Sequence, residues 1–441
     1  MPATERHLLL RHRDFRRLWL SSTTGRTGAS VSAVALPLTA LTLLDASALQ
    51  VSVLTAAAWL PWLLIGLVAG AWVDRMARRP VMLVCGAVSF LSVLSIPVAA
   101  WLGVLSYGQL LGTSLLTGTA AVFFQTAYGV LLPRLVEGPD RARANSALHA
   151  SEEAGKLAGY SGGGALVALL GPAGAMLVEA WTFAVSFLAV LGLRHRERPE
   201  PVAPQDRRLV REIREGLAFT FRDGFIRAFV LTGAAANLGL MAFQSIQVVF
   251  LTREAGIDSA LLGVLLGLGG LGGIAGAFTA RRLGARLGTA RAVYLLTLGT
   301  PCLALLIPLA SGSPLGTGLY VLGYTSVVFS VVAENTITAT FKQDYVPPAL
   351  YGRVSTASAF VNYGTIPLGA LLGGALGEWL GLRPAMWITV ALVPASALFL
   401  LMSPMRRLRD LPTAPAVPAA AQPLSTASFE SRSSVSSSAG R

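Results

Sequence analysis

The sequence predicts an all-α polytopic membrane protein, with twelve transmembrane helices in two six-helix pseudo-repeats. Three observations lead there: long stretches without charge, a one-sided distribution of arginine, and self-similarity at an offset of about 210 residues. The 441 residues are 54% hydrophobic and only 13% charged, against roughly a quarter charged in soluble domains.

Residues 46–73, 157–178, 228–252, 259–280, 354–377 and 384–405 contain no Asp, Glu, Lys or Arg, and neither do the longer stretches 80–133 and 292–333. A helix crossing about 30 Å of hydrocarbon needs around 20 apolar residues, so each longer stretch holds two spans, broken near Gly103 to Ser106 and Gly312 to Pro314. The predicted spans are 16–44, 47–74, 80–102, 106–133, 143–170 and 172–193, then 225–252, 258–280, 290–311, 315–342, 351–380 and 383–404. The abundant glycine suits helices packed closely in lipid. No cleavable leader is expected, because the basic start is followed by an apolar stretch long enough to span. Cys85 and Cys302 lie inside apolar runs, which argues against a disulfide framework.

Cytoplasmic connections are enriched in Lys and Arg. Of the 35 basic residues, 31 fall in the two termini and in alternate connections. The opposite connections hold only Arg253 and Arg383, and Arg26 and Lys156 lie inside spans. Both termini are therefore expected in the cytoplasm, in the cell (inner) membrane. The net charge of +13 follows from the same rule; no nucleic-acid partner is expected, because these arginines flank spans and form no groove-facing cluster. The expected units are a half over 1–193, a cytoplasmic linker over 194–224, a second half over 225–405 and a disordered Pro-, Ala- and Ser-rich tail over 406–441. Within the linker, Leu209, Ile213, Leu217 and Phe221 recur every four residues, as in a short helix lying along the cytoplasmic face. A solvated connector is the alternative.

The repeat rests on matches at a common offset. Asp14 to Leu20 answers Gly224 to Val230, Gly70 to Arg75 answers Gly276 to Arg281, Arg143 answers Arg353, Gly163-Gly164 answers Gly373-Gly374, and Gly171 answers Gly381. Six-helix parallel repeats occur in many secondary transporters, with the substrate held between halves near mid-membrane.

The segment Gly70-Ala-Trp-Val-Asp74-Arg75-Met-Ala-Arg78-Arg79 resembles the GxxxDRxxRR signature of the major facilitator superfamily. The resemblance implies a conformational latch formed by Gly70, Asp74, Arg75, Arg78 and Arg79. Gly70 would permit a close helix crossing, and Asp74 would meet a helix N-terminus, where negative charge is favoured. The second copy has Ala280 in place of the Asp, so only the first is expected to latch. Gly155-Lys-Leu-Ala-Gly159-Tyr-Ser-Gly-Gly163-Gly164 is similar to the GxxxGPxxGG antiporter motif of drug exporters in that superfamily, with Tyr160 in place of the proline. Pro133 to Val136 and Arg143 to Ser146 resemble the branch containing macrolide, tetracycline and enterobactin exporters. Helix packing is the alternative use of these glycines.

Ionisable side chains inside spans are costly and therefore candidates for function. Here they are Arg26, Glu152, Glu153, Lys156, Glu179 and Glu334, with Asp45 and Glu378 near the outer ends. The resemblance implies that helices 1, 4, 7 and 10 line the cavity while 3, 6, 9 and 12 sit outside, which puts Glu179 on an outer helix. On that map Arg26 and Glu334 point inward, with Gln125, Asn237, Gln244 and Asn335 as polar neighbours. Burial penalises a charged carboxyl, so Glu334 is a candidate for taking a proton from one side and releasing it on the other, with a cationic substrate competing for its charge. A structural pair between Glu334 and Arg26 is the alternative. Lys156 lies at i+4 from Glu152 and i+3 from Glu153, the spacing of a local ion pair, and the surplus carboxylate is a second coupling candidate. No GxxxxGK[ST] or HExxH motif occurs, and the one GxSxG match, Gly159 to Gly163, lies inside the apolar run of helix 5 rather than at a strand-to-helix turn, so neither ATP-driven export by this chain alone nor enzymatic activity has support. No cofactor or metal is expected, and a monomer is the simplest assembly.

These readings converge on a secondary exporter of small amphipathic molecules, an antibiotic or a secreted natural product, working by proton antiport and alternating access. A nutrient importer and a non-transporting membrane sensor are the alternatives.

Overall fold

The structure, a computed structural model, describes residues 13–74, 76–135, 140–194 and 206–412. Every regular element among them is helical. We number α1 Arg13–Leu43, α2 Ala48–Asp74, α3 Arg78–Trp101 and α4 Tyr107–Leu135. The helical stretch Asp140–Leu191 is broken at Gly171 (φ 74°, ψ 167°) into two legs, α5 over 140–170 and α6 over 172–191. The linker helix α7 is Asp206–Arg222. The second set comprises α8 Gly224–Glu254, α9 Ser259–Leu287, α10 Thr289–Leu309, α11 Pro314–Tyr345, α12 Pro348–Leu380 and α13 Leu382–Leu401. Within α10, Pro301 and Pro308 lack backbone donors, and the regular α-turns give way to wider and tighter ones after Tyr294. α9 outruns its predicted span, because the arginine-bearing segment after residue 280 continues as helix to Leu287.

Ten helices are long and apolar enough to cross a membrane, among the described residues. One of them is the pair α5–α6, which is a hairpin. Gly155 packs on Thr27 and Gly163 on Val31, so α5 runs parallel to α1. Ser186 meets Ser21 and Thr182 meets Gly28, so α6 runs the other way. α1 has 31 residues, but its arginines and its Ser- and Thr-rich middle leave it less apolar than the rest. With the two legs of the hairpin counted separately and α1 included, twelve long helices are described besides α7, of which α1 falls short of the apolarity of the others.

The repeat is visible in the contacts. Gly381 (φ 87°, ψ 161°) breaks α12 from α13 as Gly171 breaks α5 from α6, and the extended, positive-φ conformation at both sites is one that only glycine adopts readily. Gly163 meets Val31 and Val34 of α1, while Gly373 meets Ala242 and Ser245 of α8. Gly164 crosses to Ser259 and Gly263 of α9, and Gly374 crosses to Leu49 and Ser52 of α2. The two six-helix sets thus touch through α5–α9 and α2–α12, at equivalent places.

The buried apolar residues fall into three clusters. One holds Phe15, Val73, Met82, Leu131, Leu148 and Val190, drawn from all six helices before α7. Another holds Ile226, Ala280, Val293, Phe341, Val354 and Leu400, drawn from all six after it. Both lie at the end where α1 starts and α13 finishes. The third, at the opposite end, is shared: Leu38 and Leu54 pack in one cluster with Phe243, Leu265 and Tyr320. The sets are therefore joined at one end and parted at the other.

α7 is neither a free connector nor a helix lying alone on a surface. Gly216 sits against the backbone of Arg353, and Arg353 Nη1 donates to Glu215 Oε2 at 2.5 Å, so the linker docks on the first turns of α12. The predicted apolar positions Leu209 and Ile213 have side chains outside the described residues, and so does the tail beyond residue 412.

Candidate functional site

Halfway along α1, the Arg26 guanidinium faces two neighbours. Nε lies 2.9 Å from Glu152 Oε1 on α5, and Nη2 donates to Gln125 Oε1 on α4 at 3.0 Å. Ser22, one turn before Arg26, donates to the same Glu152 oxygen at 3.0 Å. Tyr128 of α4 joins this group beside Ser22 and Glu152, its hydroxyl buried. The side chain of Glu152 is 10% exposed and that of Arg26 34%, so the pair is rooted in the helix packing and reaches open space at the arginine.

This arrangement departs from the alternative reading of Glu334 and adds a partner for Glu152. Arg26 pairs with Glu152, not with Glu334, and Glu152 turns across to α1 rather than serving only Lys156 on its own helix. The cause is local geometry: Gly155 and Gly159 bring α5 so close to α1 that a Cβ at Gly159 would stand 2.6 Å from Ser30 Cβ. At that separation Glu152 reaches Arg26 directly. The side chain of Glu153 lies outside the described residues.

Glu334 lies on α11 within the second set. Thr338, one turn on, donates to its Oε1 at 2.9 Å, and Lys342 follows a further turn away. With Arg26 engaged elsewhere, Glu334 has no arginine partner among the described residues. Asn335 beside it is exposed, as is Gln244 on α8. The Asn237 amide donates to the Asn362 carbonyl on α12 at 3.4 Å. So Arg26 and Gln125 are brought together, while Glu334, Asn335 and Asn237 belong to the other set. Glu179 is 3% exposed and packs against α1 beside Ser32. The predicted placement of its helix outside the bundle does not keep that carboxyl at the periphery.

Sequence reasoning missed the aromatic groups that bridge the sets. Trp59 and Trp62 of α2 meet Tyr363 of α12, with ring centroids 6.3 and 5.7 Å from the tyrosine. At the joined end Tyr320 stacks on Tyr324 at 5.6 Å, Phe243 packs on Tyr324, and Gln247 donates to the Tyr320 hydroxyl. Tyr160 of α5 reaches this group from the other set. Single aromatic residues in apolar helices carry no signal of their partners; only the departure at Tyr160 from the antiporter pattern marked one of them.

The latch segment is partly legible. Arg78 is 5% exposed, and Arg79 Nη2 donates to the Leu191 carbonyl at 2.7 Å. Arg75 and the side chain of Asp74 lie outside the described residues; Asp74 is the last residue of α2. Gly70 makes no close crossing here: a Cβ at that position would meet nothing within 4 Å. It lies towards the end where the sets are parted, which removes the neighbour the expectation required. The helix 5 glycines do make contacts, Gly155, Gly159 and Gly163 with α1 and Gly164 with α9. Arg253 and Arg383, alone on the far side, are both paired: Arg253 with Asp45 at 2.7 Å, and Arg383 with Glu254 at 2.9 Å. No group of three His, Cys, Asp or Glu side chains suited to a metal occurs among the described residues.

Comparisons with known proteins agree with this architecture. The sequence profile of the Major Facilitator Superfamily matches residues 18–367. The multidrug efflux pump Tap of Mycolicibacterium fortuitum is 29% identical over 409 residues, covering 88% of this chain and 94% of the relative. Among solved structures, the nucleoside transporter NupG matches with a TM-score of 0.71 at 13% identity, covering 88% of this chain and 98% of that one. A bacterial homologue of the iron transporter ferroportin, 17% identical and covering 88% of this chain and 98% of that one, matches at 0.71 in its inward-facing state. In its outward-facing state, with the same identity and coverage, the same protein matches at 0.57.

Proposed function

Because the chain belongs to the major facilitator superfamily, we propose that it is a secondary exporter of small amphipathic molecules, driven by proton antiport and working by alternating access. The observation that carries alternating access is the division of the core. Each six-helix set has its own apolar cluster at the parted end, and the two share one at the joined end. Two rigid bodies with one common contact zone can rock about it. The full-length relation to a protein named a multidrug efflux pump supports export.

The arginine asymmetry supports a reading with the parted end, and both termini, in the cytoplasm of a cell-membrane protein. On that orientation the shape is the inward-open state, ready to load from inside. The rocking units are 1–193 and 225–405, the linker 194–224 is carried by α12, and 406–441 is the cytoplasmic tail; one copy suffices. Glu334 is the coupling carboxylate: with no arginine partner among the described residues, it can exchange a proton for the positive charge of a substrate. Glu152, held by Arg26 and Ser22, is a positioning residue in this state and supplies a second charge that could be released when α1 and α5 move.

The test is accumulation of a compound panel in a pump-deficient bacterium expressing this chain, with and without a protonophore. Lower accumulation of some compound, abolished by the protonophore, is the expected result. Higher accumulation would establish import. No change for any compound, with the protein folded and inserted, would refute general drug export.

A further inference from the structure

The two arginine-rich turns that the repeat relates are used differently. In the first, Arg78 is buried and Arg79 is bound to the Leu191 carbonyl. In the second, between α9 and α10, Arg286 and Arg291 are exposed. The chain then returns to this corner after α13. The Arg409 carbonyl accepts from Ala290 N at 3.1 Å and Arg291 N at 3.4 Å, Asp410 Oδ1 accepts from Thr289 N at 2.9 Å, and Leu411 N donates to Thr289 Oγ1 at 2.7 Å. Gly288 (φ 92°) makes the turn beneath Arg409, where a side chain would collide with the returning backbone. Pinned in this way, the segment that carries Arg406, Arg407 and Arg409 returns to the turn that carries Arg286 and Arg291, and all five are exposed. The only carboxylate within residues 281–294 and 398–412 is Asp410. It caps α10 and stands 4.0 Å from Arg409, at the limit of an ion pair.

We propose that this corner binds the headgroups of anionic phospholipids. The turn joins two spans, so it lies at headgroup depth by construction. Guanidinium matches phosphate geometry with two parallel donors, and clustered arginines at a membrane boundary are attracted to an anionic leaflet. A cluster that only fixed topology would not need three further arginines tied down by four backbone-anchored hydrogen bonds.

The experiment is native mass spectrometry of the full chain released from mixed micelles with equal phosphatidylglycerol and phosphatidylcholine. The parent is compared with R286Q/R291Q/R406Q/R407Q/R409Q and with the same five positions changed to Lys. The parent should retain phosphatidylglycerol preferentially, the Gln variant should lose that preference at least threefold, and the Lys variant should keep most of it. If the fivefold Gln variant fails to insert, R406Q/R407Q, beyond the last span, gives the same reading at smaller amplitude. An unchanged preference in the Gln variants would overturn the proposal. So would complete displacement of the lipid by excess inorganic phosphate, which would mark a site for a soluble anion.

Discussion

Arg26 and Glu334 divide the charged chemistry of the bundle between them. Arg26 is committed to Glu152 and Gln125, so its removal takes the arginine's charge away from a carboxylate that is only 10% exposed between α1 and α5. Breaking a fully buried pair costs about 3–5 kcal/mol; with Arg26 one-third exposed, about 2 kcal/mol is expected for Arg26→Ala. Thermal unfolding of the purified protein should show that loss, and the double variant R26L/E152L should recover part of it. If the single and double variants unfold alike, the pair is not holding α1 to α5. Glu334→Gln should behave oppositely. Its carboxyl accepts a hydrogen bond from Thr338 that the amide oxygen can still accept, so folding should persist while the dependence of transport on pH disappears. Retained pH dependence would remove Glu334 from the coupling path. The candidate carboxylates were legible in the sequence because charge inside a span is rare. Their partners were not, since pairing depends on how closely α1 and α5 approach, and that is decided by glycines whose neighbours the sequence does not name.

At the scale of elements, the helices and their order were legible almost throughout, because each charge-free stretch has one structural solution in lipid. The breaks at Gly171 and Gly381 were marked in advance by the repeat and share one backbone conformation. Gly171→Ala should cost about 1–3 kcal/mol, because that region of backbone space is nearly closed to side chains, and it should lower the unfolding temperature measurably. Gly164→Val tests the crossing between sets, where a Cβ would stand 2.6 Å from Gly263 Cα; loss of both stability and transport is expected. Gly70→Val should separate those two effects. With nothing within 4 Å here, stability in this state should hold while transport falls, if Gly70 is packed only when the parted end closes. A stable, fully active Gly70→Val protein would remove Gly70 from the latch. The docking of α7 on α12 was not legible, because the four-residue periodicity of the linker shows an apolar face without showing what covers it.

For the whole molecule, the energetic question is what holds the joined end. The Asp45–Arg253 pair contributes little, since Asp45 is 97% exposed and surface pairs are worth about 0–1 kcal/mol. The shared apolar cluster and the Tyr160, Tyr320, Tyr324 and Phe243 group carry that contact instead. Such packing can be exchanged for equivalent packing at the other end, as alternating access requires. The measurement that bears most directly on proton-coupled export uses purified protein in liposomes. A compound excluded in the cellular assay would be supplied outside while a pH gradient, acid inside, is imposed. We predict that the gradient drives the compound inward against its concentration, with loss on adding a protonophore or in Glu334→Gln. Equal, passive equilibration with and without the gradient would contradict the account.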